Sequence, residues 1–218
     1  MGGAEPRAER LNEERLIRRL ESFSDLVIGF SLALLGLTLA IPSHMIDLVH
    51  NPWWLVAYFW TFALIASIWY THQQLFSYYF PVRPYTIFLN FVLLASLGLI
   101  VYFVQVFVHV VGEPDKVWAF LVYFFVQSLA FIVMGGLYAH GVRSRWESLD
   151  GELRYQGVRQ AVRMLVAGGS VLLGIIITVL RHPQSMDDAV VVGFVSLVGV
   201  LGARVILQMI RPRIANAA

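Results

Sequence analysis

Six runs of the chain are predominantly apolar: Ser22–Ile41, Trp53–Phe76, Thr86–Val111, Val117–Leu137, Ala161–Leu180 and Ala189–Ile210. About 20 such residues cross the hydrocarbon core of a bilayer as an α-helix, so each run predicts one membrane span. The prolines, at positions 6, 42, 52, 81, 84, 114, 183 and 212, all fall outside these runs. That placement suits a residue that lacks a backbone donor and is favoured where helices start or stop. The period-two alternation of a membrane β-barrel is missing. The pattern therefore predicts an all-α integral membrane protein, a six-transmembrane-helix bundle forming a single domain over residues 1–218.

Composition agrees. Of 218 residues, 58% are hydrophobic and 14% charged, against roughly 25% charged in a soluble domain. The absence of cysteine excludes disulfides, thiolate metal sites and cysteine nucleophiles. The first 20 residues are charged and lack an apolar core followed by a small-residue cleavage site. The first span is accordingly expected to stay in the mature protein.

Orientation follows from the basic residues. Arg7, Arg10, Arg15, Arg18 and Arg19 precede the first span, and Arg83 lies in the second connection. Arg143, Arg145, Arg154, Arg159 and Arg163 surround the fourth connection, and Arg204, Arg211 and Arg213 close the chain. With alternating spans these all lie on one side, and only Lys116 and Arg181 lie on the other. Both termini are thus expected in the cytoplasm, and the net charge of +2 reflects topology and implies no nucleic-acid partner. The segment "GVRSRWESLDGELRYQGVRQAVR" after the fourth span reads as a short cytoplasmic helical linker.

Polar residues inside spans are costly and call for a partner or a task. The first span contains Ser22, Ser24, Asp25, Ser31 and Thr38, and the second ends "ASIWYTHQQLF", with Trp69 and His72 near its exit. Asp25 and His72 fall at similar depth, so Arg19, Asp25 and His72 form a candidate buried cluster. Two readings of it stand open: a staple between helices, or a gating or proton-sensing group centred on His72. Asn90, Gln105, His109 and Gln127 read as helix–helix hydrogen bonds. His109 with Glu113, and His44 with Asp47 and His50, are too few or too exposed to predict a metal site.

The first span also has distinct faces. At about 100° per residue from Phe30, the residues Phe23, Leu34, Leu37 and Ile41 all fall within about 40°, with Arg19 at the stripe's foot. Asp25 falls near about −140°, and Ser31 and Thr38 share a third face near about 90°. One face is smooth and apolar; another carries polar anchors. Gly168, Gly169, Gly174, Gly193, Gly199 and Gly202 in the last two spans suit close helix packing.

The stretch "RLESFSD" where the first span begins, together with "WYTH" late in the second, resembles the transmembrane protein 175 family of potassium-permeable channels in lysosomes and bacteria. The family pattern Arg-x-x-x-Phe-Ser-Asp is matched by Arg19, Phe23, Ser24 and Asp25, and Trp-x-x-His by Trp69 and His72. The resemblance covers roughly residues 15–80, and beyond that the six-span topology agrees. It implies a bacterial, single-repeat subunit in the cell membrane that assembles as a homotetramer and passes potassium ions without a cofactor. It further implies a pore lined by the first helix. By position the constriction falls on Phe30, with Leu34 and Leu37 further outward, while Arg19, Phe23, Ser24, Asp25, Trp69 and His72 lock helices one and two. The chain departs from the family in having Ala33 where a hydroxyl residue is frequent and Phe30 where Leu or Ile is typical.

Other classes fit less well. An enzyme needs a set of acids, bases or nucleophiles within reach of one another, and Asp25 is the sole carboxylate inside the predicted spans. Secondary transporters have broken helices and polar midplane sites, whereas these spans are proline-free with apolar centres. A weakly selective cation or proton leak channel, and a non-conducting membrane interaction protein, remain as alternatives.

Overall fold

The computed structural model describes residues 5–37, 52–110, 116–183 and 185–215. Six long helices account for most of them: α1 (Glu5–Leu37), α2 (Trp53–Gln74), α3 (Pro84–His109), α4 (Lys116–Ser144), α5 (Gly151–Leu180) and α6 (Val190–Ala215). Each supplies a segment long and apolar enough to cross a membrane, and no strand occurs among the described residues. The fold is the expected six-span helical bundle. Thr38, Ile41, His44, Asp47, His50 and Glu113 lie outside the described residues.

Helix boundaries extend beyond the apolar runs wherever polar sequence can continue the hydrogen-bond ladder in water. Helix α1 begins at Glu5 and runs for 33 residues, about 50 Å, so its charged first third exceeds a hydrocarbon core of about 30 Å. There Arg18 and Glu14 pair one turn apart at 3.5 Å. The expected linker after α4 is largely absorbed into helix. Helix α4 continues to Ser144, one 3₁₀ turn spans Trp146–Ser148, and α5 starts at Gly151. Asp150 caps α5, its carboxylate accepting from Leu153 N–H at 2.7 Å, which satisfies one of the first turn's orphan donors. Pro212 falls within the last turn of α6.

Helices α4, α5 and α6 pack most intimately, α3 lies against α4, and α1 rests on α2 and α3. Three of the six glycines noted above sit at these close approaches. A Cβ on Gly168 would lie 2.8 Å from Ser128 O, one on Gly174 2.7 Å from Val192 Cα, and one on Gly199 2.6 Å from Ser170 Cβ. Gly169, Gly193 and Gly202 face open space. The main core is built from Ile65, Ile68, Leu93, Leu97, Ile100, Met134 and Leu137, all fully buried.

Candidate functional site

Helix α1 presents two faces, as its periodicity predicts. Leu20, Ser24, Ile28, Ser31 and Leu35 are buried against the bundle. Phe23, Phe30, Leu34 and Leu37 point away from it, 45%, 61%, 53% and 82% exposed. Phe23 also touches Phe91 of α3 edge to face, ring centroids 5.8 Å apart. Ser31 turns its hydroxyl back to Val27 O at 2.9 Å, so it needs no partner on another helix.

The polar residues at the foot of α1 form two separate groups. In the first, Ser24, Asn90 and His72 connect α1, α3 and α2, and all three are fully buried. His72 Nε2 lies 2.9 Å from Asn90 Oδ1, Asn90 Nδ2 donates to Ser24 Oγ at 3.1 Å, and Ser24 Oγ donates to Leu20 O at 2.7 Å. The directions are mutually determined. Because Ser24 spends its proton on Leu20 O, it accepts from the amide, and Asn90 Oδ1 then accepts from a protonated Nε2. Among the described residues His72 Nδ1 has no hydrogen-bond partner. The imidazole rests 4.5 Å from the Phe76 ring, which stacks on Phe80 at 4.2 Å.

In the second group, half-buried Asp25 accepts from the Trp69 indole N–H at 3.0 Å and from the Gln73 amide. Trp69 and Gln73 are one helical turn apart and therefore reach the same carboxylate. Charge-assisted hydrogen bonds of this kind are stronger than neutral ones. Arg19 belongs to neither group; it is exposed, and among the described residues it has no carboxylate partner. Asp25 and His72 make no direct hydrogen bond, and Asn90 carries the connection from His72 to α1.

Asn90 and Gln73 are the two participants beyond the expected set. An amide in the first half of a mostly apolar third span is a signal for Asn90, since such groups seek partners across helices. For Gln73 the signal is its place four residues after Trp69.

The end of α2 is fastened separately. It continues directly into a five-residue π-helical segment, Leu75–Tyr79. Arg145 donates to the carbonyls of Tyr78 and Phe80 at 3.2 and 3.0 Å, satisfying acceptors that the helix end leaves free. Tyr79 OH donates to Leu153 O at 2.9 Å, and Tyr138 OH to Thr71 O at 2.8 Å. Gly141 lets α4 approach this turn: a Cβ there would lie 2.4 Å from Tyr79 O. Helix α2 is thus bound to α4 and α5 on one flank and to α1 on the other. Among the described residues no group of three or more His, Asp or Glu converges.

An apolar, outward-facing first helix on a six-span bundle, locked at its foot by polar residues, defines a class of multi-helix membrane proteins. Comparison with known proteins narrows that class. Residues 19–100 match the family model of the endosomal/lysosomal potassium channel TMEM175, a segment that runs from Arg19 through α2 into α3. The fold is that of solved structures of the same kind. One is a threonine-to-alanine variant of the potassium channel MtTMEM175, crystallised with a nanobody–MBP fusion: TM-score 0.64, 22% identity, covering 88% of this chain and 92% of that one. Another is a lysosomal potassium-selective channel TMEM175 homolog from Chamaesiphon minutus: TM-score 0.60, 20% identity, covering 87% and 98%. No curated protein matches the sequence. Both motifs lie within the matched segment, and over most of the chain the fold is that of these two channel structures.

Proposed function

We propose that the chain is one subunit of a homotetrameric, potassium-permeable channel, with α1 of each copy lining a central pore. The observation that carries this reading is the division of α1 into two faces. A helix at the edge of a bundle has no need of a three-helix polar lock to stay in place, because lipid accepts its apolar side chains. Here the lock holds Ser24 on the bundle side of α1 and leaves Phe30, Leu34 and Leu37 turned away from the subunit. Four such stripes around an axis form a hydrophobic constriction, tightest at Phe30, which closes by dewetting and widens when α1 tilts.

Both termini are cytoplasmic in this reading, because the arginine-rich ends of the helices gather at one end of the bundle, in a bacterial inner membrane. Arg145 against the end of α2, and Tyr79 against the start of α5, join three of those ends directly. The family match and the channel folds support potassium as the conducted ion. The chain carries no catalytic activity in this proposal. Planar-bilayer recording of purified protein under a potassium/sodium gradient tests it. A reversal potential displaced toward the potassium equilibrium value is expected, and silence from well-folded tetramers refutes it.

A further inference from the structure

A recess of about 610 Å³ opens between α2 and α5, beside the lock but separate from it. Its polar wall is formed by Ser67, Tyr70, Gln74, Arg159, Gln160 and Arg163. We propose that this recess binds the phosphate headgroup of an anionic phospholipid.

Three observations converge on that ligand. The first is charge. Arg159 and Arg163 stand one helical turn apart on α5, both exposed, and no carboxylate lines the recess. Among the described residues neither arginine has an ion pair; Arg159 lies over the Tyr155 ring at 6.0 Å. The acidic residue toward the start of the same helix, Glu152, is engaged by the Gln156 amide at 3.0 Å.

The second is rigidity. Gln160, between the arginines, donates through Nε2 to Thr71 Oγ1 at 3.2 Å. Thr71 in turn donates to Ser67 O at 2.9 Å, and its carbonyl accepts from Tyr138. The wall facing the arginines is therefore held by three helices before any ligand arrives. Two planar guanidinium forks above a fixed polar floor suit the oxygens of a phosphate better than a single point charge would.

The third is depth. The recess lies where the apolar part of α5 begins, at Ala161, and where α2 gives way to "THQQ". Lipid phosphates lie at that boundary, and basic pockets between membrane helices capture anionic headgroups there. Ala66 and Met164 form the apolar part of the wall, against which an acyl chain can pack. Arg15 and Arg18, on the projecting start of α1, are exposed too but do not line this recess, which makes them the natural control.

The test is native mass spectrometry of the full-length protein, released from detergent after equilibration with equal amounts of phosphatidylglycerol and phosphatidylcholine. The proposal expects phosphatidylglycerol to be retained over phosphatidylcholine by at least about tenfold, the scale set by two arginines near a membrane surface. The preference should vanish in Arg159→Gln/Arg163→Gln and persist in Arg15→Gln/Arg18→Gln. If the first pair does not fold, Arg159→Lys/Arg163→Lys keeps the charge but not the forks, and a reduced preference is expected. Equal retention of the two lipids by the wild type overturns the proposal, as does equal loss in both glutamine pairs. Displacement of phosphatidylglycerol by millimolar inorganic phosphate overturns the assignment to a lipid, leaving a site for the free anion. The readout is bound lipid, so it does not turn on whether the chain conducts.

Discussion

Replacing Asn90 by alanine isolates the cost of the three-helix lock. The amide supplies the acceptor for His72 Nε2 and the donor for Ser24 Oγ, and all three side chains are fully buried. Without it, the imidazole N–H is left buried with no acceptor, which costs about 1–3 kcal/mol. Ser24 keeps its bond to Leu20 O, so its loss is closer to the ~0.6 kcal/mol average for hydrogen bonds between membrane helices. Together these give about 1.6–3.6 kcal/mol, a shift of roughly fifteenfold to a few hundredfold in the unfolding equilibrium at 1.4 kcal/mol per decade.

Equilibrium unfolding in mixed micelles, followed by the fluorescence of the six tryptophans, measures it. The decisive comparison is a double-mutant cycle with His72→Phe. That substitution removes the orphaned N–H while keeping a ring to rest on Phe76. In the His72→Phe background, Asn90→Ala should cost only the Ser24 part, about 1 kcal/mol or less. Equal costs in the two backgrounds would refute the coupling on which the lock rests.

Three further outcomes are expected. Asp25→Ala should destabilise by about 1 kcal/mol, less than Asn90→Ala, because its charge-assisted bonds to Trp69 and Gln73 lie at a half-exposed position; the same unfolding assay checks the order. Gly141→Ala should cost about 2 kcal/mol by forcing α4 away from Tyr79 O, whereas Gly136→Ala, with nothing near its Cβ, should stay within about 0.5 kcal/mol of wild type. Phe30→Ala should raise unitary conductance or leak in bilayer recordings, and unchanged currents would place the constriction at another residue.

The number and placement of the spans were legible because a bilayer imposes a length on every span and the apolar runs carry that length, whereas the polar extensions of α1, α4 and α5 were not. The two faces of α1 were legible for a similar reason. Phe23, Phe30, Leu34 and Leu37 recur with the helical period, and Ser24, Ile28, Ser31 and Leu35 between them are those the bundle buries. Pairing across helices is information of another kind. Opposite charge drew Arg19 toward Asp25, yet the two lie about 120° apart around α1, and the carboxylate takes neutral donors from α2 instead. Asn90 could be seen as a polar residue needing a partner. That it stands between His72 and Ser24 depends on α3 packing against both α1 and α2, which no local pattern encodes.

Placing the lock at the foot of the apolar part of α1 gives that part of the helix a fulcrum. Ser24 is six residues below Phe30 and thirteen below Leu37, about 9 Å and about 20 Å along the axis. A rotation of about 10° about Ser24 therefore swings Phe30 through about 1.5 Å and Leu37 through about 3.5 Å. Beyond the fulcrum the buried side of the helix holds Ile28, Ser31 and Leu35, and Ser31 is bonded within its own helix. Motion is thereby amplified with distance from a pinned base, and a change too small to disturb Ser24 and Asn90 becomes a full atomic diameter at the tip.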